Sequence, residues 1–268
     1  MTTSFPVKRR PDDMRALFVS FDGLDRVDGS ARFGFGNTRA LASVSGPIEA
    51  RLAQEQPSKA TLEVVVRPLA GVPGTEAKLL SSTLRTLLTP SLLLTHNPRT
   101  LIQLVVQSLS PPTRTQVTGK GQANYALTAA LINASTLSLL NAASIPMRGA
   151  VCAVAIGRLR TTHTLILDPR ENEFDSLDGG GVFAFMFPGS DGDGEVVWSS
   201  WSAVPFLEED VKRAKEVARI SAREVWVKMK DVVWPVGRDR AMKVGIEKMP
   251  TGQAMAVDVG DSEKMELS

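Results

Sequence analysis

The stretch EFDSLDGGG, Glu173 to Gly181, sets the carboxylates Asp175 and Asp178 three residues apart and then runs into glycine. A pair of carboxylates can share acid–base work at a leaving oxygen, or hold a metal ion that does the same. A lone carboxylate in a turn is more commonly a solvated surface group. Other reactive side chains are sparse. Cys152, the one cysteine, lies inside the apolar run AVCAVAI, where a thiol is usually inert packing. One cysteine forms no internal disulfide. The two histidines, His96 and His163, are far apart in the chain, so no Cys/His zinc cluster is expected, and no other metal or cofactor either.

The elements that must position these residues come from a chain of 268 residues, 43% hydrophobic and 22% charged, enough for a real core. No run of about 18 apolar residues is present, so no membrane-spanning helix is expected. The start, MTTSFPVKRRPDD, has no apolar stretch behind its basic residues and does not read as a secretory signal. The net charge is only +2 but uneven. Basic residues collect at Lys8, Arg9 and Arg10, at Arg114 and Lys120, and at Arg148, Arg158 and Arg160. A solvated mixed surface accounts for this, and a basic face for nucleic-acid phosphate is the sharper alternative.

Along the chain, DGSARFGF and TRALASVSG flank the turn Gly36-Asn37 and read as a hairpin. TLEVVVRP (61–68) is a β-branched strand stopped by Pro68. From 76 to 95 the period changes: Leu79, Leu80, Leu84, Leu87 and Leu88 form a helical stripe, with Lys78 and Arg85 elsewhere on the helix. Pro90 should break it. TLIQLVVQSL (100–109) is the next strand, and SPPTRTQVTGKG reads as an exposed loop. Residues 123–144 are Ala- and Leu-rich with almost no charge, the pattern of a buried helix. Four strand patterns follow: AVCAVAIGRL, TTHTLIL, GGVFAFMF and EVVWSSWSA. Trp198 and Trp201 in the last of these suit core or interface equally. Residues 207–233 form an amphipathic helix opened by Glu208, Glu209 and Asp210.

This order predicts an α+β fold of two similar halves, with mixed and antiparallel sheets and flanking helices. The expected organisation is a flexible lead at 1–13, a single domain at 14–234 with an inserted loop near 110–121, and a flexible tail at 235–268.

Several of these segments, taken in order, resemble the RNase PH-like exosome core subunits. DGSARFGFGNTRALASVSGP (28–47) resembles their opening turn and first strands. SKATLEVVVRPLAGVPG (58–74), NPRTLIQLVVQ (97–107), IPMRGAVCAVAIG (145–157) and LILDPRENEFDS (165–176) follow in matching sequence. The resemblance covers about 20 to 230. It implies an RNase PH fold and a place in a hexameric ring that carries cap proteins and threads single-stranded RNA towards a separate nuclease. It further implies pairing with another ring member, expected to be ribosomal RNA-processing protein 43. The implied location is the nucleus and nucleolus, and also the cytoplasm.

Active members of that family attack RNA from its 3′ end with inorganic phosphate. An anion needs an Arg, a hydroxyl and the N–H groups of a helix start. The family's Gly-Gly-Thr-Arg-Thr-Ala motif, aligned on Thr128-Ala129, puts Ala126 at the threonine and Leu127 at the arginine. Its acid pair, a Glu-Asp-Ser with a second aspartate six residues after the first, maps to Asp175 and Gly181. Both halves of the site therefore read as degenerate, and a silent ring subunit is the expectation. For RNA contact the resemblance points to Lys78, Arg85 and Arg99, weakened by Ser82 where a basic residue is expected. Two rivals remain open. One is an active phosphorolytic exoribonuclease with a rearranged site of Asp168, Asp175 and Asp178. The other is a free-standing homodimer that binds or cleaves nucleic acid.

Overall fold

Among the described residues, nine strands and three α-helices are arranged with one helix buried between two sheets. The computed structural model describes residues 10–21, 23–111, 124–189 and 192–243, with backbone only from 234. The N-terminal lead up to residue 9, most of the 110–121 loop with Arg114 and Lys120, and the tail from 244 lie outside the described residues. The first sheet has the order β1-β2-β3-β5-β4, built from β1 (Leu17–Ser20), β2 (Gly29–Phe35), β3 (Thr38–Glu49), β4 (Thr61–Arg67) and β5 (Thr100–Ser108). The hairpin at Gly36-Asn37 is as expected, and Gly36 has φ +56, in the region that glycine enters freely. β1 was not legible, because four residues hold too little pattern.

Strands β4 and β5 run parallel, so the chain must cross over between them. Helix α1 (Thr75–Leu88) makes the crossover, and Pro90 lies in the short turn Thr89–Ser91 that follows its end, as the sequence suggested. Its buried face is Ala77, Leu84, Leu87 and Leu88. Leu79, assigned to that stripe from spacing, is instead 67% exposed. At 100° per residue it lies well round the helix from Leu84.

Helix α2 (Tyr125–Ala142) is buried on every side. An all-round apolar helix belongs inside, and this one packs on β2 and β3 of the first sheet and on β6 of the second. Its few polar side chains satisfy backbone groups of both sheets. Asn133 donates to the Ala153 carbonyl at 2.9 Å and accepts from the Ala153 N–H at 2.7 Å. Thr136 donates to the Val151 carbonyl, and Asn141 to that of Ser30.

The second sheet has the order β7-β6-β8-β9, from β6 (Ala150–Leu159), β7 (Leu165–Leu167), β8 (Leu177–Phe187) and β9 (Glu195–Ala203), all antiparallel. Helix α3 (Glu208–Lys243) packs on it through Ala214, Ala218, Ala222, Val225 and Met229, a 3–4 spacing of mostly small residues. Trp226 stacks on Phe187 at 6.3 Å between ring centroids. The helix runs past Val233, where the sequence pattern faded. The described residues up to Val233 form one compact unit.

Candidate functional site

The start of α2 faces the middle of β8. Asn124 caps the helix, and its side-chain oxygen accepts the Leu127 N–H at 3.0 Å. A first-turn donor that a phosphate would need is thus already taken by the chain itself. Ala126 is buried. Leu127 is half-buried and faces a depression of about 370 Å³ lined with Val66, Leu69, Val72, Leu80 and Leu131. The Leu127 side chain itself offers an anion no partner there. Arg67 also lines the depression, and Glu76 there offsets its charge.

Across from the helix start, the strand side offers no carboxylate. Gly180 lies against Tyr125, and a Cβ at 180 would sit 2.8 Å from both the Tyr125 ring and the Ile156 carbonyl oxygen. Gly181 opens the other way, onto the backbone of Ser200 and Trp201. In a strand, neighbouring residues point to opposite faces, so position 180 rather than 181 looks at the helix start. Burial pushes the Tyr125 hydroxyl above its usual range. Installing an acid here should fail: Gly180→Asp is expected to cost about 3 kcal/mol or more in stability and to yield no activity. Thermal unfolding followed by tryptophan fluorescence, together with a phosphorolysis assay, checks both parts.

The three aspartates of the rearranged-site reading do not converge. Asp175 is exposed on the short turn Glu171–Ser176. Asp168, 1% exposed at its side chain, is gripped by Arg15 through Nε at 2.6 Å and Nη2 at 2.6 Å, while Arg15 Nη1 donates to Thr38. Asp178 takes Nε and Nη2 of Arg158 at 2.8 and 3.2 Å, with His163 Nδ1 3.2 Å away. Arg158 Nη1 continues to Asp210 at 2.8 Å, at the start of α3. The hydrogen bonds that Arg158 donates to Asp178, opposed by burial and joined by Asp210, hold its guanidinium above its ordinary range. Arg158 is fully buried, so it forms no part of a basic face. Among the described residues no cluster of three or more His, Cys, Asp or Glu could hold a metal ion. Cys152 is buried with its thiol pushed upward in pKa, 3.8 Å from Met229 Sδ, and is packing.

The proposed RNA-contacting cations fare differently. Lys78 and Arg85 stand one above the other on α1 and line one shallow groove with Ser81, Ser82 and Glu63 of β4. Neither forms an ion pair among the described residues. Arg85 also borders a second depression with Lys59 and Gln56. Lys59 was missed, since a single lysine before a strand gives no signal. Arg99 adjoins through its N–H on the Gln56 carbonyl, but its side chain, 71% exposed, leans on Glu55 at 3.4 Å.

Two sheets sharing a central buried helix, with a helical crossover to a parallel strand in the first, define a chain of the RNase PH class. The model of the 3′ exoribonuclease family, domain 1, matches residues 13–144. Exosome complex component RRP46 of Saccharomyces cerevisiae is 36% identical over 148 residues, 54% of this chain and 63% of that relative, so the match spans less than two thirds of its length. Exosome complex component rrp46 of Schizosaccharomyces pombe is 30% identical over 213 residues, 79% of this chain and 86% of that one. The crystal structure of rice Rrp46 superposes with a TM-score of 0.72 at 27% identity, covering 85% of this chain and 98% of that one. The chain belongs to the RNase PH-like family of exosome core subunits similar to RRP46.

Proposed function

We propose that this chain is a catalytically silent ring subunit of the eukaryotic RNA exosome, scaffolding 3′-to-5′ RNA processing and lining the RNA channel. The observation that carries this reading is the start of α2. Leu127 stands where active relatives place arginine, and Asn124 holds the amide a phosphate would use. Loss of even one well-placed donor to a transition state costs about 10² to 10³ in rate. The facing strand adds Gly180 and Gly181, neither with room for a side chain. Its ring neighbours would be other RNase PH-like subunits, ribosomal RNA-processing protein 43 first among them, with cap proteins above and a processive nuclease below. It would act in the nucleus and nucleolus and in the cytoplasm.

The test is incubation of the chain, alone and assembled with its ring partners, with labelled single-stranded RNA, Mg²⁺ and inorganic phosphate. No nucleoside diphosphate is expected in either state. Phosphate-dependent diphosphate release that Asp175→Ala abolishes would overturn the silent reading.

Lys78 and Arg85 supply sequence-independent phosphate contacts in this picture. Lys78→Ala with Arg85→Ala should weaken RNA binding by the assembled ring about 3- to 10-fold at moderate salt. It should also flatten the slope of log affinity against log salt by about 1 to 2. Fluorescence anisotropy at several salt concentrations reads both effects.

A further inference from the structure

Both α1 and α2 pack on one face of the first sheet. Leu80 of α1 and Leu127 and Leu131 of α2 border one depression with Val66, which belongs to the core. Side chains alternate along a strand. Arg32, Arg39 and Arg67, each next to a core residue, therefore belong to the opposite face, where all three are exposed. Among the described residues no helix covers that face. Register places Arg32 beside Leu41, Leu41 beside Gln107 and Gln107 beside Arg67, one row across β2, β3, β5 and β4. Arg39 stands two residues along β3 from this row. Glu63, bonded by Gln103, is the one carboxylate among the strand residues of the face.

The arginines are set in a particular frame. Gly34 leaves room for the Arg39 stem, since a Cβ there would sit 2.8 Å from Arg39 Cγ. The Arg39 guanidinium crosses β2 and lies over the Phe18 ring of β1, 4.3 Å from its centroid, which holds a group that would otherwise wander on its stem. At the other end of the row, Arg67 and Gln107 border a shallow hollow of about 490 Å³ with Val65, Pro68 and Pro73, room for a nucleobase. That hollow shares Val65 and Pro73 with the Lys78–Arg85 groove, so the two are continuous round the edge of β4. The charge calls for an anionic partner. An extended peptide laid on a sheet face meets side chains only, and its own N–H and C=O groups would go unpaired. A polynucleotide has no such need: its phosphates meet arginines, and its bases rest on apolar side chains and guanidinium planes.

We infer that single-stranded RNA held in the Lys78–Arg85 groove continues round the edge of β4 onto the uncovered face of the first sheet. There Arg67, Arg32 and Arg39 meet successive phosphates, and the hollow beside Gln107 takes a base. Arg32 and Arg67 are three strand spacings apart, about 14 Å at the backbone, so the face spans a few nucleotides. This rests on the RNA-contacting reading above and extends it to a surface outside that groove.

The test measures binding of a fluorescein-labelled uridine oligomer by anisotropy at several salt concentrations, with the chain alone and with the assembled ring. Arg32→Gln with Arg39→Gln changes two exposed side chains and should leave circular dichroism and thermal unfolding as in the parent. It is expected to weaken binding about 5-fold and to flatten the salt slope by about 1 to 2. Lys215→Gln with Lys228→Gln removes the same charge from exposed positions of α3 and should bind like the parent. Crosslinks from a 4-thiouridine oligomer should fall on β2 and β3. Parent-like binding by the arginine pair variant, beside a loss from Lys78→Ala with Arg85→Ala, would overturn this inference and leave the α1 groove standing. Equal losses from the arginine pair and the α3 pair would reduce the effect to net charge and overturn it as well. Displacement of the oligomer by oligoglutamate as readily as by unlabelled RNA would assign the face to an acidic protein segment instead. If neither the arginine pair nor the Lys78 and Arg85 pair affects binding, the RNA-contacting reading fails with it.

Discussion

Asp168→Ala is expected to lower the stability of the chain by about 3–5 kcal/mol, the typical cost of removing one partner from a buried ion pair. The loss has two sources. Arg15, 10% exposed at its side chain, would be left with its charge uncompensated. Asp168 also holds φ +50, a left-handed conformation that aspartate tolerates better than alanine. The pair closes 153 residues of chain and joins the lead into β1 to the end of β7. Equilibrium unfolding in urea, followed by tryptophan fluorescence, measures the effect. Asp168→Asn should fall between the parent and the alanine variant, since it keeps the backbone preference and loses the charge. A variant of parent stability would mean that Asp168 is held for chemistry rather than for the fold, and would revive the rearranged-site reading.

Arg158→Met should be comparably severe, with a midpoint of thermal unfolding about 10 °C lower. Its guanidinium is fully buried between Asp178 and Asp210, so its removal leaves two carboxylates facing each other across the place it filled. One sits on β8 and the other in the first turn of α3, so the network pins the helix to the sheet. The triple change Arg158→Met, Asp178→Asn, Asp210→Asn tests the cause. With the orphaned charges gone, much of the lost stability should return, because a buried ion cluster contributes little beyond its own internal compensation. If the triple variant is no more stable than Arg158→Met alone, packing of the long arginine stem rather than charge is what matters at this site.

These two networks bear on function as well as on stability. Asp168 and Asp178 were two of the three acids in the rival catalytic reading, and each is committed to an arginine, half-buried Arg15 and fully buried Arg158. Asp175 alone is free to meet solvent, and one exposed carboxylate has no partner with which to divide acid–base work.

Much was legible before folding because it is local. The hairpin at Gly36-Asn37, the helix broken at Pro90, the charge-free helix 123–144 and the last four strands all announce themselves within a few residues of chain. The replacement of arginine by Leu127 is likewise a matter of residue type in a short motif. Helix α1 shows the limit of such reading: its period was visible, yet the angular place of Leu79 was not, since only the sheet beneath defines which side is inner.

By itself, the amino-acid order determined the class of fold, the absence of an arginine at the start of α2 and the basic residues of α1, because these depend on residue type and short spacing. Only the tertiary structure decided which of the three rival-site aspartates meets solvent, that Gly180 rather than Gly181 faces Tyr125, and that Arg158 is interior. Each of those outcomes depends on pairing between elements far apart in the chain, such as Arg15 with Asp168 or β8 with β9. Strand register turns a side chain to one face or the other with a shift of a single residue, and local periodicity carries no information about which distant strand sets it.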